Sequence, residues 1–228
     1  RGWWKKILVE DIDNDGDLDI VIGNHGENSF FQSKTRMYIS DFDQNGTKEQ
    51  IICENIDGKY YPIIDKDELI KQLPSLKKQL VYFEDYADKT INELFPKEVL
   101  DQAIVFEVDE RRSGIFYNEK GKFSFKELPK EAQYGPVYAI ETDDIDGDGF
   151  TDLILGGNQY LVKPQFGRYD ALKGLILFGS ETGFNSQKLE FLNIDGQIRQ
   201  IKKLTIKDAK KYLFIINNGS LLTYEKEN

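Results

Sequence analysis

The sequence is poor in the residue types on which covalent cross-links and much of catalysis depend. Its 228 residues include one cysteine, one histidine and one methionine. A single cysteine excludes an internal disulfide framework, and its place in the run Ile51-Ile52-Cys53 predicts a buried, inert thiol. The histidine, His25, stands in a glycine-rich turn and is more typical of a turn residue than of a general base. No nucleophile elbow, phosphate loop or zinc pattern occurs, and only the abundance of carboxylates leaves a glycosidase-type pair open.

The sequence also lacks a basic stripe and a long apolar stretch. Lys and Arg number 30 against 40 for Asp and Glu, a formal net charge of −10, so we expect no nucleic-acid partner. Neither a membrane span nor a signal peptide is present. The chain begins with Arg1 and not with Met, which indicates a piece of a longer polypeptide, so the missing signals say nothing about location.

Much of the acidic charge is concentrated in a nine-residue motif that occurs three times, at 11–19, 41–49 and 144–152. Each copy has an oxygen-bearing side chain at positions 1, 3, 5 and 9 and a glycine at position 6, and position 7 would add a backbone carbonyl. Oxygen ligands arranged around a glycine turn suit a hard cation, above all calcium. The predicted calcium ligands, for two to three ions, are Asp11, Asp13, Asp15, Asp17, Asp19, Asp41, Asp43, Asn45, Thr47, Glu49, Asp144, Asp146, Asp148, Phe150 and Asp152.

Two other interpretations fit the motif less well. Asp, Asn and Gly are common in solvated turns, but three copies with the same internal spacing favour a metal. A helix–loop–helix site needs an acidic residue at position 12, where this chain has Ile22, Ile52 and Leu155. Short apolar runs flank the loops, so the loops are predicted to join strands. Asn45 and Glu49 lower the charge and lengthen one ligand in the second copy, which predicts weaker binding there.

The pattern in the rest of the chain predicts short strands and one helical segment, at 65–102. Spacings of three and four between apolar residues and few glycines predict several short helices in that segment. The sequence therefore divides into 1–64 with two calcium loops, a helical insertion at 65–102, and 103–228 with one calcium loop. The expected fold is mainly β, an incomplete β-propeller of about three to four blades of antiparallel strands. The predicted strands are 4–9, 18–23, 36–40, 50–55, 59–62, 104–108, 113–118, 122–127, 136–142, 152–156, 173–179, 187–192, 198–206, 212–217 and 221–226.

The strand–DxDxDGxxD–strand unit resembles the FG-GAP, or VCBS, repeat of integrin-α-type propellers. More narrowly, the chain is similar to the C-terminal part of large VCBS-repeat proteins of the Bacteroidetes, related to the UnbV and cartilage acidic protein group. The resemblance covers nearly the whole chain and includes Gly2-Trp3-Trp4, Gly23-Asn24-His25-Gly26, Gln72-Leu73-Pro74, Pro136-Val137, Gly167-Arg168-Tyr169-Asp170 and Asn217-Asn218. It implies an extracellular or cell-surface calcium-binding propeller. The segment 207–211 departs from the repeat because it lacks a ligand set.

Two classes of function follow. The first is a non-catalytic module that binds a protein or glycan, with Tyr160, Phe166, Arg168 and Tyr169 as speculative ligand-binding residues. A loop folded over a neighbouring blade is the favoured interpretation of these four residues. The second is part of a polysaccharide-active enzyme whose catalytic residues lie elsewhere in the parent chain. An incomplete propeller would also leave an open edge strand that can pair with another chain.

Overall fold

The computed structural model describes residues 1–32, 34–206 and 209–226, and within them the chain forms fifteen strands and three α-helices. The strands are β1 (Lys6–Glu10), β2 (Asp19–Gly23), β3 (Thr35–Ser40), β4 (Glu49–Ile56), β5 (Lys59–Pro62), β6 (Ile104–Val108), β7 (Gly114–Glu119), β8 (Lys122–Glu127), β9 (Val137–Asp143), β10 (Asp152–Gly157), β11 (Leu175–Leu177), β12 (Leu189–Phe191), β13 (Ile198–Ile206), β14 (Ala209–Ile216) and β15 (Leu222–Tyr224). The helices are α1 (Lys66–Gln72), α2 (Ile91–Leu94) and α3 (Lys97–Asp101), and 3₁₀ turns lie at Pro74–Lys78, Phe83–Asp85, Lys130–Gln133 and Pro164–Phe166.

The strands pair antiparallel into four separate sheets in the described part of the chain. We name them the first sheet (β1-β2-β7-β8), the second sheet (β12-β11-β10-β9), the third sheet (β13-β14-β15) and the inserted sheet (β5-β4-β3-β6). Each predicted strand overlaps an observed one, so the mainly β architecture with a short helical segment is confirmed. The sheets are not joined into a closed ring, and the incomplete propeller stays a prediction.

The chain divides into two compact units. The inserted unit comprises Arg1–Gly2 and Phe31–Glu110, and the three-sheet unit comprises Trp3–Phe30 and Arg111–Asn228. These boundaries differ from the divisions expected after residues 64 and 102. The difference arises because the helices share one core with the inserted sheet and are not a body of their own.

In the inserted unit, the apolar faces of the helices pack on the inner face of the inserted sheet. The helical segment contributes Leu69, Leu73 and Ile91, and the sheet contributes Ile51 and Cys53, all fully buried. Asp65 caps the N-terminus of α1, and its side chain accepts a hydrogen bond from the Glu68 N–H at 2.9 Å. This cap satisfies one of the amides that a helix start leaves unpaired.

In the three-sheet unit, the second sheet is buried on both faces. Leu153 and Leu155 belong to a core shared with the first sheet, whereas Ile154 belongs to a core shared with the third. Successive residues of a strand point to opposite faces, so the unbroken apolar run of β10 reflects burial on both sides. Gly157 ends this strand where a Cβ atom would lie 1.7 Å from the Pro136 carbonyl oxygen, so only glycine fits.

The third sheet contacts the chain beside one of the acidic loops. Lys203 on β13 and Lys210 on β14 each donate to Asp143 Oδ1 at 3.2 Å, and the Tyr212 hydroxyl donates to Asp143 Oδ2 at 2.7 Å. Burial would raise the pKa of the Asp143 carboxyl, but these hydrogen bonds hold it below its usual value. The predicted metal-free turn at 207–211 includes Lys207 and Asp208, which lie outside the described residues.

Candidate metal centres

Each of the three acidic loops joins two strands that are consecutive in the chain and paired in one sheet. Loop 1 (11–19) joins β1 to β2, loop 2 (41–49) joins β3 to β4, and loop 3 (144–152) joins β9 to β10. In each case the residue before position 1 pairs with the residue at position 9, as Glu10↔Asp19, Ser40↔Glu49 and Asp143↔Asp152. Each loop therefore closes a hairpin, as expected from its apolar flanks.

The loops share one backbone conformation. Position 6 has a positive φ in all three, with values of 94°, 90° and 89° at Gly16, Gly46 and Gly149. Glycine adopts this region without a steric penalty. Position 4 also has a positive φ, which was not predicted, and its residues are Asn14 (61°), Gln44 (58°) and Gly147 (77°). Asn and Gly tolerate this region, so two of the three copies carried a signal for it, and Gln44 did not.

The hydrogen bonds inside the loops repeat as well. The position-9 carboxylate accepts from the position-2 amide, the position-1 carboxylate from the position-6 amide, and the position-5 side chain from the position-7 amide. The first distance is 3.0, 3.1 and 2.8 Å in loops 1, 2 and 3. The second is 3.0, 2.8 and 3.1 Å, and the third is 2.8, 2.7 and 3.0 Å. Three separate segments thus adopt the same bonded turn.

Each loop brings carboxylates together closely enough to hold a metal ion. In the described residues, three groups have ligand oxygens that all lie within 4.8 Å of one another. The groups are Asp11, Asp13 and Asp15; Asp41, Asp43 and Glu49; and Asp144, Asp146 and Asp152. Burial, and then the charges of Asp19, Asp15 and Asp11, raise the pKa of Asp13, which is the expected effect of crowded carboxylates.

Two carboxylate oxygens in these groups favour a bound cation. Asp11 Oδ1 in loop 1 and Asp43 Oδ1 in loop 2 are buried and have no hydrogen-bond partner in the described part of the structure. A buried, unpartnered polar atom is costly, and a cation at the loop centre would give each oxygen a partner. The residues present therefore fit a metal ion with oxygen ligands.

The other predicted ligands have bonds of their own. Asp19 is 1% exposed and accepts from the amides of Ile12 and Asn118, at 3.0 and 2.8 Å. Asp17 Oδ2 accepts from the Lys120 amide at 2.8 Å. Asn45 Oδ1 accepts from Thr47, and Asp148 Oδ1 from Phe150, both through the position-7 amide. These side chains shape the loops and also tie them to neighbouring strands.

The contacts between loops and neighbouring strands were missed by sequence reasoning. Asp152 Oδ1 accepts from the Gly179 amide at 2.8 Å, as Asp19 Oδ1 does from Asn118. Loop 1 also reaches loop 3, because Asn14 Nδ2 donates to the Gly149 carbonyl at 3.3 Å. These partners are distant in the chain and obey no spacing rule, so the sequence held no signal for them.

The repeated Gly-Asn at strand ends joins neighbouring sheets. The buried Asn24 accepts from the Val137 amide of the second sheet at 2.9 Å. The buried Asn158 donates through Nδ2 to the Gly196 carbonyl at 3.0 Å, and its own carbonyl accepts from Arg199 at 2.9 Å. This motif has a structural role in the three-sheet unit.

The four speculative ligand-binding residues occupy different surroundings. Tyr169 is 6% exposed, and its ring lies 4.8 Å from that of His25. The Phe166 ring lies 4.6 Å from Phe30, and the Arg168 guanidinium lies 3.5 Å from the Tyr160 ring centroid. Tyr160 and Arg168 line a cavity of about 490 Å³, which Phe166 and Tyr169 do not.

His25 is packed inside the three-sheet unit, with the Trp3 ring 4.9 Å away on edge-to-face geometry. It is 5% exposed. Burial, followed by the charges of Lys5 and Arg111, lowers the pKa of His25 to about 4. The imidazole is therefore neutral near pH 7.

No protein-family model, curated protein or solved structure matches this chain. None of the helices in the described residues combines the length and apolar character needed to cross a membrane. Function is therefore inferred from the geometry and chemistry of the acidic loops.

Proposed function

We propose that the chain is a calcium-binding module of a secreted or surface-attached protein, built as part of an FG-GAP/VCBS-type β-propeller. In this proposal the module binds a protein or glycan and is not itself an enzyme. The observation that carries it is the threefold repetition of one bonded turn with converging carboxylates, two of which have a buried oxygen without a partner. In an ordinary solvated turn, a carboxylate oxygen is exposed to water or accepts a hydrogen bond, so a buried oxygen without a partner favours a bound cation.

Calcium suits the loops better than magnesium. Calcium accepts six to eight oxygen ligands in flexible geometry, whereas magnesium requires a near-ideal octahedron and keeps several waters. The loops offer carboxylates, an amide oxygen at Asn45 and the position-7 carbonyls, all without nitrogen or sulfur. Two to three ions fit this proposal, and loop 2, with one carboxylate fewer, is expected to bind most weakly.

The proposed role of calcium is to hold the two strands of each hairpin together. Positions 1, 3 and 5 precede the turn, and position 9 is the first residue of the following strand, so an ion bound to both parts joins them. Calcium held entirely by oxygen ligands is structural here and performs no step of a reaction.

Thermal unfolding of chelator-treated protein with added calcium tests this proposal. A ligand at one hundred times its dissociation constant stabilises by about 2.7 kcal/mol, which corresponds to a rise in Tm of roughly 5–10 °C for a domain of this size. Magnesium at equal concentration should give a smaller rise. Asp15→Asn should reduce the calcium response, whereas Asp101→Asn, at an exposed helix position outside the loops, should leave it unchanged. The proposal fails if millimolar calcium does not raise Tm.

A further inference from the structure

A cleft with a mixed polar and apolar lining lies in the three-sheet unit beside loop 1 and loop 3. It encloses about 340 Å³ and is lined by residues of both, among them Asp13 of loop 1 and Phe150 of loop 3. The Asn14–Gly149 hydrogen bond joins the two loops. The cleft is therefore formed where the first and second sheets meet, and its shape depends on both loops.

One wall of the cleft is the turn at 180–183, which is fastened from two sides. The Ser180 hydroxyl donates to the Gly183 carbonyl at 2.6 Å, which closes the turn. Lys126, on β8 of the first sheet, donates to the Thr182 carbonyl at 3.3 Å. A Cβ atom at Gly183 would lie 3.2 Å from Lys126 Nζ and 3.6 Å from the Tyr117 hydroxyl, so these two polar groups converge on one point.

The side chains around the cleft combine apolar rings with polar groups of both signs. Tyr117, Phe150 and Phe184 supply ring surfaces. Lys126 is cationic and has donor capacity beyond its bond to Thr182, while Asp13, Glu119 and Glu181 are exposed carboxylates that accept hydrogen bonds. An anionic ligand would meet the three carboxylates, and a cationic ligand would meet the lysine.

Hydroxyl groups satisfy such a lining because each can donate to a carboxylate and accept from an ammonium. Ligand pockets commonly span about 300–1,000 Å³, so this cleft is at the small end and suits one ring more than an extended chain. Aromatic side chains offer an apolar surface to the C–H face of a sugar ring. We propose that this cleft binds one neutral hexose unit of a glycan, with Tyr117 and Lys126 as the main polar contacts. This inference rests on the proposed glycan-binding function, and it identifies the cleft as the site where the glycan binds.

Ligand-observed NMR titrations with D-glucose, D-galactose and D-mannose in calcium buffer test the inference, with D-glucuronate and D-glucosamine as charged probes. At least one neutral hexose should give a saturable signal. Lys126→Met and Tyr117→Phe should each weaken binding about tenfold, the effect of losing one good hydrogen bond. Tyr61→Phe, in a separate cavity of about 410 Å³ in the inserted unit, is the matched control and should bind as the parent does.

The outcomes separate this inference from the proposed function. Saturable hexose binding that falls in both cleft variants supports it, provided that each variant melts within a few degrees of the parent. Binding of a charged probe alone, binding of no probe, or hexose binding that is unaffected by Lys126→Met overturns it. The calcium response of Tm is measured on the same samples. A protein that binds calcium but no hexose therefore refutes hexose binding in the cleft and leaves the calcium proposal standing.

Discussion

Asp11 and Asp144 both occupy position 1 of an acidic loop, yet replacing them with asparagine should change stability in opposite directions when calcium is absent. Asp144 uses both oxygens as acceptors, from the amides of Gly147 at 2.7 Å and Gly149 at 3.1 Å. Asp11 uses only Oδ2, for the Gly16 amide at 3.0 Å, and its buried Oδ1 has no hydrogen-bond partner. Both loops belong to the three-sheet unit, whose unfolding therefore reports on both changes.

In the chelated protein, Asp11→Asn should raise the free energy of unfolding. The amide oxygen can keep the bond from Gly16, and the amide nitrogen takes the place of the unpartnered oxygen. There it can donate to Asp13 or Asp15, whose carboxylates belong to the same close group. A buried polar atom without a partner costs about 1–3 kcal/mol, so a gain of about 1–2 kcal/mol is expected.

Asp144→Asn should lower the free energy of unfolding under the same conditions. The exchange turns one of two acceptors into a donor that faces a backbone N–H, and it removes a hydrogen bond to a charged group. Such a bond is worth about 1.5–3 kcal/mol, so a loss of about 2 kcal/mol is expected. In calcium, each variant should lose part of the calcium stabilisation, because a tenfold weaker site stabilises by about 1.4 kcal/mol less at saturating ion.

Urea unfolding of the parent and both variants, in chelator and in excess calcium, measures all six free energies. In chelator, we expect the two variants to change the free energy of unfolding in opposite directions. In both variants, we expect calcium to add less to that free energy than it does in the parent. If both variants are destabilised equally in chelator, the unpartnered oxygen of Asp11 is not a cost, and the inference that it marks a cation site loses its basis.

Two further predictions concern buried groups outside the acidic loops. Folding lowers the pKa of His25 from 6.5 to about 4, so the unfolded chain binds a proton that the folded chain excludes, and stability falls by up to about 3 kcal/mol as pH drops from 6.5 to 4. NMR titration of the only histidine should give a pKa near 4, and a value above 6 would contradict the burial argument. Burial raises the pKa of the Cys53 thiol to about 12, so a thiol reagent such as DTNB should react at least tenfold more slowly with native than with urea-unfolded protein; equal rates would refute it.

The strands and loops could be predicted because local patterns determine them. Short runs with apolar residues, separated by turn residues, marked the strands, and the spacing of Asp with Gly at position 6 marked each acidic loop. The positive φ at Gln44 could not be predicted from that residue, since glutamine has no preference for this region. Only the equivalence of the three loops, with Asn14 and Gly147 at the same position, accounts for it.

The division into units could not be predicted, because it depends on which strands become neighbours. Strand β2 pairs with β7, although β3 to β6 and all three α-helices intervene in the chain. A periodic pattern identifies a strand and its buried face but not its partner. For the same reason, the sequence predicted that the helices at 66–101 form a segment separate from the strands. Only the structure shows that Leu69 and Ile91 share a core with Ile51 of the inserted sheet.

Loop 1 contributes contacts between strands that the inserted unit separates in the chain. Closing a long intervening segment costs chain entropy, which contacts between the strands on either side of it must offset. Besides the β2–β7 ladder, loop 1 supplies three hydrogen bonds across that gap: Asp19 accepts from the Asn118 amide, Leu18 from the Asn118 side chain, and Asp17 from the Lys120 amide. Asp17 and Asp19 are therefore fastened to the hairpin that follows the inserted unit, while Asp11, Asp13 and Asp15 converge on the candidate ion position. An ion that orders loop 1 would thus stabilise the contacts between β2 and the β7–β8 hairpin, which follows the inserted unit in the chain.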